Sequence, residues 1–288
     1  MKDMALQTAV RSKQLIAKQY TLSYEDKTLI MGILNVTPDS FSDGGKYNSI
    51  DRAVIHAKQM IEDGAHILDI GGESTRPGAE KVSLDEELSR VIPVIEKLVQ
   101  EIDVPISVDT YKAQVADEAI KAGAAIINDV WGAKADPDMA RVAAAHNVPI
   151  ILMHNREERN YKDLIPDMLS DLMECVSIAK SAGVQDHHIV LDPGIGFAKT
   201  YHDNLAVMNQ LEKFSEPGYP VLLGTSRKKF IGRVLDLPPE ERAEGTGATV
   251  CLGIQKGCDI VRVHDVKQIS RMAKMMDAMI DKGGVYHR

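Results

Sequence analysis

The chain has 288 residues, 44% of them hydrophobic, so it can bury a full-size core as one barrel domain or as two ordinary domains. Lys and Arg total 34 against 42 Asp and Glu, and the net charge of -8 argues against broad binding to nucleic acid or to anionic membranes. Because the first 28 residues lack an apolar run of signal-peptide length and no run reaches membrane-spanning length, we expect a soluble cytoplasmic protein.

Eight short aliphatic runs recur along the chain and are separated by segments with helical patterns. Each run is continuous rather than alternating in hydrophobicity, which is typical of parallel strands covered on both faces. These runs predict strands at residues 29–35, 66–72, 105–110, 124–130, 149–154, 188–194, 220–226 and 260–266.

The segments between the predicted strands carry signals for helix ends. Apolar residues repeat at helical spacing after Ser49, and Gly64 stands where a left-handed C-cap is expected. Ser83 and Glu86 predict a capping box ahead of the next amphipathic run. Asp136, followed by a proline, predicts the cap of a later helix.

Eight strand-helix units without a long linker favour an α/β fold that is a single (β/α)8 TIM barrel with a short N-terminal extension. We predict that residues 1–28 form the extension, which plugs or flanks the barrel bottom, and that residues 29–288 form the barrel. An open, doubly wound sheet is the alternative topology.

Polar residues follow most of the predicted strands, and in a TIM barrel the active site lies at the carboxyl ends of the strands. Taken singly, each could also be a solvated strand end. Together, the carboxylates, carboxamides, lysine and Arg/His pair suit the recognition of a polar heterocycle and an anion. They are Asn35, Glu73 to Arg76, Asp109, Asn128, His154, Asp192, Ser226 to Lys228, Arg262 and His264.

Seven strings, in one order along the chain, resemble the dihydropteroate synthase family. They run from residue 31 to residue 266 and read MGILNVTPDSFSDGG, DIGGESTRPGA, SVDTYK, INDVWG, LDPGIGF, GTSRK and RVHDV. The resemblance implies a pterin-binding transferase of folate biosynthesis that forms a C–N bond. It condenses 6-hydroxymethyl-7,8-dihydropterin diphosphate with 4-aminobenzoate, by an SN1-like displacement, to give 7,8-dihydropteroate and pyrophosphate. It also implies a homodimer and a target of sulfonamides.

The resemblance assigns one set of residues to the pterin diphosphate. A pterin ring presents neighbouring donors and acceptors, so it needs a carboxylate and a cation on adjacent sides, and Asp192 and Lys228 fit these roles. By resemblance, Asp109 and Asn128 complete the edge of the ring, and Thr75 also lies in this site.

The diphosphate needs positive charge as it leaves, and the resemblance implies Arg262, His264 and a Mg2+ ion held through Asn35. The implied catalytic set is Asn35, Asp109, Lys228, Arg262 and His264. Residues of the loops after the predicted strands are candidates for enclosing 4-aminobenzoate. They are Asp39, Phe41, Arg76, Pro77, Phe197 and Ser226.

Two other functional classes remain open from the residues. One is a pterin- or methyltetrahydrofolate-binding module of methyl transfer, which would share the barrel and the carboxylates without needing contacts to a diphosphate. The other is a sugar-phosphate isomerase or aldolase, which would need a catalytic Glu or a Schiff-base Lys at a strand end.

Overall fold

The computed structural model describes residues 13–37, 45–73 and 81–284, with the backbone alone for 45–49. Two short strands, β1 (Gln14–Ala17) and β2 (Tyr20–Ser23), form an antiparallel hairpin. Eight parallel strands follow. They are β3 (Leu29–Asn35), β4 (Ile67–Gly71), β5 (Ile106–Asp109), β6 (Ile126–Asp129), β7 (Ile150–Met153), β8 (Ile189–Asp192), β9 (Leu222–Leu223) and β10 (Ile260–Val263).

The eight parallel strands form one barrel. The strand order is β8-β7-β6-β5-β4-β3-β10-β9, and the two ends of this order meet through a parallel bridge between Leu191 and Val221. The Leu191 amide also donates to the carbonyl of Pro220 at 2.9 Å. This closure confirms the TIM barrel and excludes the open sheet.

Helices surround the barrel, one after most strands and two after β9. They are α1 (Gly45–Glu62), α2 (Leu84–Val99), α3 (Ala113–Ala122), α4 (Met139–His146), α5 (Leu164–Ser181), α6 (Tyr201–Asn209), α7 (Lys229–Leu235), α8 (Ala243–Gln255) and α9 (Val266–Met279). Along the described ranges, no helix combines the length and the apolar character that crossing a membrane requires.

The helix ends agree in part with the predicted signals. Gly64 follows α1 with φ of 109°, as a left-handed cap requires. The Ser83 hydroxyl accepts from the Glu86 amide at 3.2 Å, but the Glu86 carboxylate pairs with Arg90 one turn on, so the box is only half formed. Asp136 precedes the N-cap of α4 and accepts from the amide of Asp138 at 3.0 Å, so its predicted capping position was wrong by two residues.

The hairpin of β1 and β2 closes the bottom of the barrel. Leu15 and Ala17 on β1, with Tyr24 just after β2, are buried in a cluster with the first residues of the barrel strands. Leu29, Met31, Ile67 and other inward side chains complete this layer. Polar side chains at the opposite, carboxyl end of the strands are therefore separated from the bottom by a dry apolar layer.

Candidate functional site

Arg262 lies at the centre of the polar end of the barrel. It projects from β10 and donates through Nε to Asp69 Oδ2 at 2.5 Å and through a terminal nitrogen to Asp109 Oδ2 at 2.6 Å. Asp69 is on β4 and Asp109 ends β5, so one guanidinium joins three strands across the barrel. The two neighbouring carboxylates hold the pKa of Arg262 above its usual range despite burial.

The two carboxylates retain unused acceptor atoms. Asp69 is fully buried and Asp109 nearly so, and burial raises the pKa of Asp109 to about 7 even though Arg262 opposes the shift. Asp69 Oδ1, Asp109 Oδ1 and the Ser107 hydroxyl make no hydrogen bond within the part of the chain that the structure describes. Buried polar atoms are normally paired, so these atoms are candidates for binding a ligand.

Asn128 extends this cluster to β6. Its amide nitrogen donates to Asp69 Oδ2 at 3.2 Å, which orients the side chain because a carboxylate oxygen can only accept. The amide oxygen of Asn128 is then directed to the other side, where it can accept from a ligand. The arrangement provides acceptors for a ring edge that carries N–H donors.

Asp192 and Lys228 form the second part of the site. One oxygen of Asp192, at the end of β8, accepts from the Gly194 amide at 2.7 Å. The other oxygen and Lys228 Nζ border the same point, since a methyl group added at Gly224 would lie 3.8 Å and 4.0 Å from them. Burial raises the pKa of Asp192 and lowers that of Lys228 to about 8, and the attraction between the two groups opposes both shifts.

The β8 loop (residues 193–198) holds these groups in place. The Lys228 ammonium donates to the carbonyl of Ile195 and lies 4.7 Å from the centroid of the Phe197 ring, a cation–π distance. Gly194 has φ of 66°, and a Cβ at this residue would overlap the carbonyl of His154. Glycine is therefore required where the loop crosses the end of β7.

His264 and Ser226 form the third part of the site, at the ends of β10 and β9. The Ser226 hydroxyl accepts from the His264 amide at 3.1 Å and lies 2.9 Å from His264 Nδ1. The hydroxyl can both donate and accept, so this second contact orients the imidazole ring whichever nitrogen carries its proton. His264 follows Arg262 by two residues at the end of β10, and an imidazole and a guanidinium at one strand end suit an anion.

The comparisons with known proteins agree with this geometry. The sequence matches the family described as pterin binding enzyme over residues 31–264. It is 77% identical over 284 residues to the dihydropteroate synthase of Bacillus subtilis strain 168, covering 99% of this chain and 100% of that protein. The chain belongs to the dihydropteroate synthase family.

Two solved structures of dihydropteroate synthases share the fold. The Clostridium difficile protein, solved in the presence of pteroic acid, has a TM-score of 0.88 and 52% identity, over 90% of this chain and 98% of its own. The Yersinia pestis protein, solved as a complex with a sulfonamide drug, has a TM-score of 0.87 and 40% identity, over 93% of this chain and 99% of its own. The family is a family of enzymes.

Most of the residues that the dihydropteroate synthase resemblance implies for the pterin and the anion converge at one end of the barrel. They are Asn35, Asp109, Asn128, Asp192, Lys228, Arg262 and His264. Phe197 lies beside Lys228. Ser226, predicted to contact 4-aminobenzoate, has a hydroxyl that hydrogen-bonds to His264. The remaining candidates lie outside the described residues. They are Asp39, Phe41, Thr75, Arg76 and Pro77.

The site residues fit a magnesium ion that takes most of its ligands from phosphate and water. Asn35 ends β3, and its side chain makes no hydrogen bond to the rest of the described chain, so its amide oxygen is available. Within residues 13–37, 45–73 and 81–284 there is no group of three or more His, Cys, Asp or Glu side chains suited to a metal. Mg2+ binds through one or two protein oxygens plus phosphate oxygens and waters, which matches this sparse donor set.

Two residues of the candidate site were missed by sequence reasoning. Asp69 lies two residues before the end of β4, so the strand-end rule passed over it, although an aspartate inside an apolar run was a signal. Lys199 lies beyond the predicted strand and reaches the site only through the folded β8 loop. Its sequence neighbourhood carries no comparable signal.

Proposed function

We propose that this chain condenses 6-hydroxymethyl-7,8-dihydropterin diphosphate with 4-aminobenzoate to give 7,8-dihydropteroate and pyrophosphate in folate biosynthesis. Family membership supports this reaction. The Clostridium difficile relative was solved with pteroic acid, which joins a pterin to 4-aminobenzoate through a methylene group. The two halves of that ligand correspond to the two substrates.

The observation that carries the proposal is the pattern of unused acceptors beside buried cations. A pterin ring edge offers the 2-amino group and N3–H as donors next to O4 and N5 as acceptors. The free oxygen of Asp192 suits the donors, and the Lys228 ammonium suits the acceptors beside them. The unpaired Asp109 Oδ1 and the Asn128 amide oxygen suit the remaining ring N–H groups.

The displacement breaks the C–O bond between the pterin methylene and the diphosphate, and the electron pair leaves with the oxygen. Negative charge then grows on the pyrophosphate, where the Arg262 guanidinium and the His264 ring stabilise it. The electron-rich dihydropterin ring stabilises positive charge at the methylene, which favours an SN1-like path. The amine nitrogen of 4-aminobenzoate then forms the C–N bond and loses a proton.

Magnesium, when bound through Asn35 and the diphosphate, would neutralise further charge on the leaving group. The chain's own part is to orient the two substrates and to exclude water, which would otherwise capture the methylene cation. Phe197, beside Lys228, is suited to cover this point. The homodimer and the cytoplasmic location remain predictions.

The reaction is tested by incubating the protein with pterin diphosphate, 4-aminobenzoate and magnesium while pyrophosphate is measured. We expect release that requires both substrates. Tight binding of methyltetrahydrofolate with no release of pyrophosphate would instead indicate the methyl-transfer module. Release that does not depend on the amine would indicate a hydrolase.

We predict that kcat/KM for the pterin substrate falls as pH rises through about 8. Burial lowers the pKa of Lys228 from its ordinary value to about 8, so the ammonium that faces the ring acceptors is present below this pH and lost above it. A pH profile checks this, with Lys228→Met as the comparison. The variant should have lower kcat/KM throughout and no limb near pH 8, and an unchanged limb would assign it to another group.

We predict that 4-aminobenzenesulfonamides inhibit competitively against 4-aminobenzoate. The sulfonyl group resembles a carboxylate in size and in the placement of its acceptor oxygens, and a sulfonamide complex is known for the Yersinia pestis relative. Initial rates at several concentrations of both compounds distinguish the modes. Inhibition that 4-aminobenzoate cannot overcome would contradict this prediction.

A further inference from the structure

Lys199 is a buried cation whose hydrogen-bond partners among the described residues are all uncharged. It follows the β8 loop and is 7% exposed. Its ammonium donates to the carbonyl of Gly194 at 2.9 Å and to that of Phe197 at 3.0 Å, and it lies 3.0 Å from His154 Nδ1. These three acceptors match the three N–H donors of an ammonium.

The third acceptor is fixed by a further hydrogen bond. His154, fully buried at the end of β7, has its Nε2 3.0 Å from Asp171 Oδ2. The carboxylate can only accept, so the proton of a neutral His154 is on Nε2 and its Nδ1 accepts from Lys199. Burial lowers the pKa of His154 to about 3, which agrees with a neutral ring, and Asp171 is held in turn by Arg156 at 2.5 Å.

A buried ammonium without a carboxylate partner is costly, and neutral donors could hold a loop at a lower desolvation cost. Burial accordingly lowers the pKa of Lys199 to about 7, and Asp192 provides the largest opposing attraction. The location of this costly buried charge therefore points to a role for it. The Lys199 ammonium holds the same segment that contacts Asp192 and Lys228, the groups proposed to meet the pterin ring.

The two carbonyls that Lys199 holds flank Ile195. The Ile195 carbonyl accepts from the Lys228 ammonium, and the Gly194 amide donates to Asp192. Phe197, whose carbonyl Lys199 also holds, has its ring against Lys228. A change at Lys199 would thus act on the groups proposed to bind the ring through the loop that holds them.

We propose that Lys199 is a positioning residue: its ammonium fixes the β8 loop and, through that loop, the Lys228 ammonium and the Asp192 carboxylate. The inference rests on the proposed function, because it assumes that these groups bind the pterin. The anion side is held separately, by the contacts of Ser226 with His264 and of Asp109 with Arg262. Lys199 therefore affects the pterin half of the substrate and leaves the pyrophosphate half unchanged.

The test compares Lys199→Met, which keeps the length and loses all three donors, with Lys199→Gln, which keeps an N–H2 group and is the milder change. Two constants are measured on each: the calorimetric Kd for 6-hydroxymethylpterin and the product-inhibition constant for pyrophosphate. We expect pterin affinity to fall by roughly tenfold to a hundredfold in Lys199→Met, and by less in Lys199→Gln. The pyrophosphate constant should stay within about twofold in both.

Tyr161→Phe is the matched control. The Tyr161 hydroxyl donates at 2.9 Å to the carbonyl of Ala198, the last residue of the β8 loop, and makes no hydrogen bond to Asp192 or Lys228. Its loss should lower the melting temperature with little change in pterin affinity. Equal losses of pterin affinity in Tyr161→Phe and in the Lys199 variants, or parallel losses for pterin and pyrophosphate, would reduce Lys199 to a general stabiliser and overturn the proposal.

Measurements on the unsubstituted protein distinguish failure of the positioning role from failure of the proposed function. If it binds 6-hydroxymethylpterin and forms dihydropteroate, and both Lys199 variants match it, then the positioning role fails and the proposed function stands. If the unsubstituted protein neither binds the pterin nor turns over, the proposed function itself fails. Should Lys199→Met not fold, Lys199→Gln alone decides the comparison.

Discussion

Arg262→Ala is expected to lower kcat by roughly a hundredfold to a thousandfold or more, because it removes the charge proposed to stabilise the departing pyrophosphate. The structure adds a second effect. Arg262 is the cation shared by Asp69 and Asp109, and breaking a buried pair leaves uncompensated carboxylates at a cost of about 3–5 kcal/mol of stability. Without Arg262, the pKa of Asp109 should rise further and the residue should be largely protonated at neutral pH.

Arg262→Lys is the comparison that separates charge from geometry. Lysine keeps one positive charge but cannot donate to both carboxylates in the same forked arrangement. We expect this variant to recover stability and to recover turnover only in part. Steady-state kinetics, together with calorimetry on a pterin that lacks the diphosphate, measure the two effects. Full turnover at saturation with a collapse of pterin binding would place Arg262 in the ring site instead of the anion site.

Asp192→Asn is expected to lower pterin affinity by on the order of a hundredfold or more with little change in shape. One oxygen must still accept from the Gly194 amide, so the NH2 group of the asparagine turns toward the ring donors and opposes them. The charge that attracts the Lys228 ammonium is also lost. Calorimetry with 6-hydroxymethylpterin and a melting curve on the same sample measure both consequences.

Asp129→Asn is the matched control for this substitution. Asp129 is a fully buried carboxylate at the end of the neighbouring strand β6, and it accepts from the amides of Trp131 and Ala133 at 2.8 Å and 2.6 Å. It therefore caps a loop without an oxygen left for a ligand. The control should melt at a lower temperature and bind pterin normally. If Asp192→Asn behaves in the same way, Asp192 is only a loop cap.

The barrel could be predicted from the sequence because parallel strands in this fold are continuous apolar runs. The ends of the strands could not be predicted in this way. The run predicted at 220–226 contains only the two-residue strand β9, since Pro220 has no N–H to donate and the chain turns after β9, where the Thr225 carbonyl accepts from the Lys228 amide at 3.1 Å. The β1–β2 hairpin was also missed as strands, because four-residue strands in a polar segment give too short a pattern.

The site could be predicted where function depends on position along a strand. Asp109 and Asp192 end their strands and were found by that rule. Asp69 was missed because its importance comes from Arg262, 193 residues away in the chain, and Lys199 because its partners meet only after the β8 loop folds. Sequence position identifies groups that face the barrel mouth, whereas the groups beneath them depend on tertiary contacts.

The most direct test of the proposed reaction follows the oxygen atom that bridges the pterin methylene and the diphosphate. The protein is incubated with 4-aminobenzoate, magnesium and pterin diphosphate labelled with oxygen-18 at this bridge. The masses of the products are then measured by mass spectrometry. We predict dihydropteroate without the label and pyrophosphate that carries it, because the C–O bond breaks and a C–N bond forms. Label retained in 6-hydroxymethyldihydropterin, with no dihydropteroate, would show cleavage of the P–O bond by a hydrolase and contradict the proposed reaction.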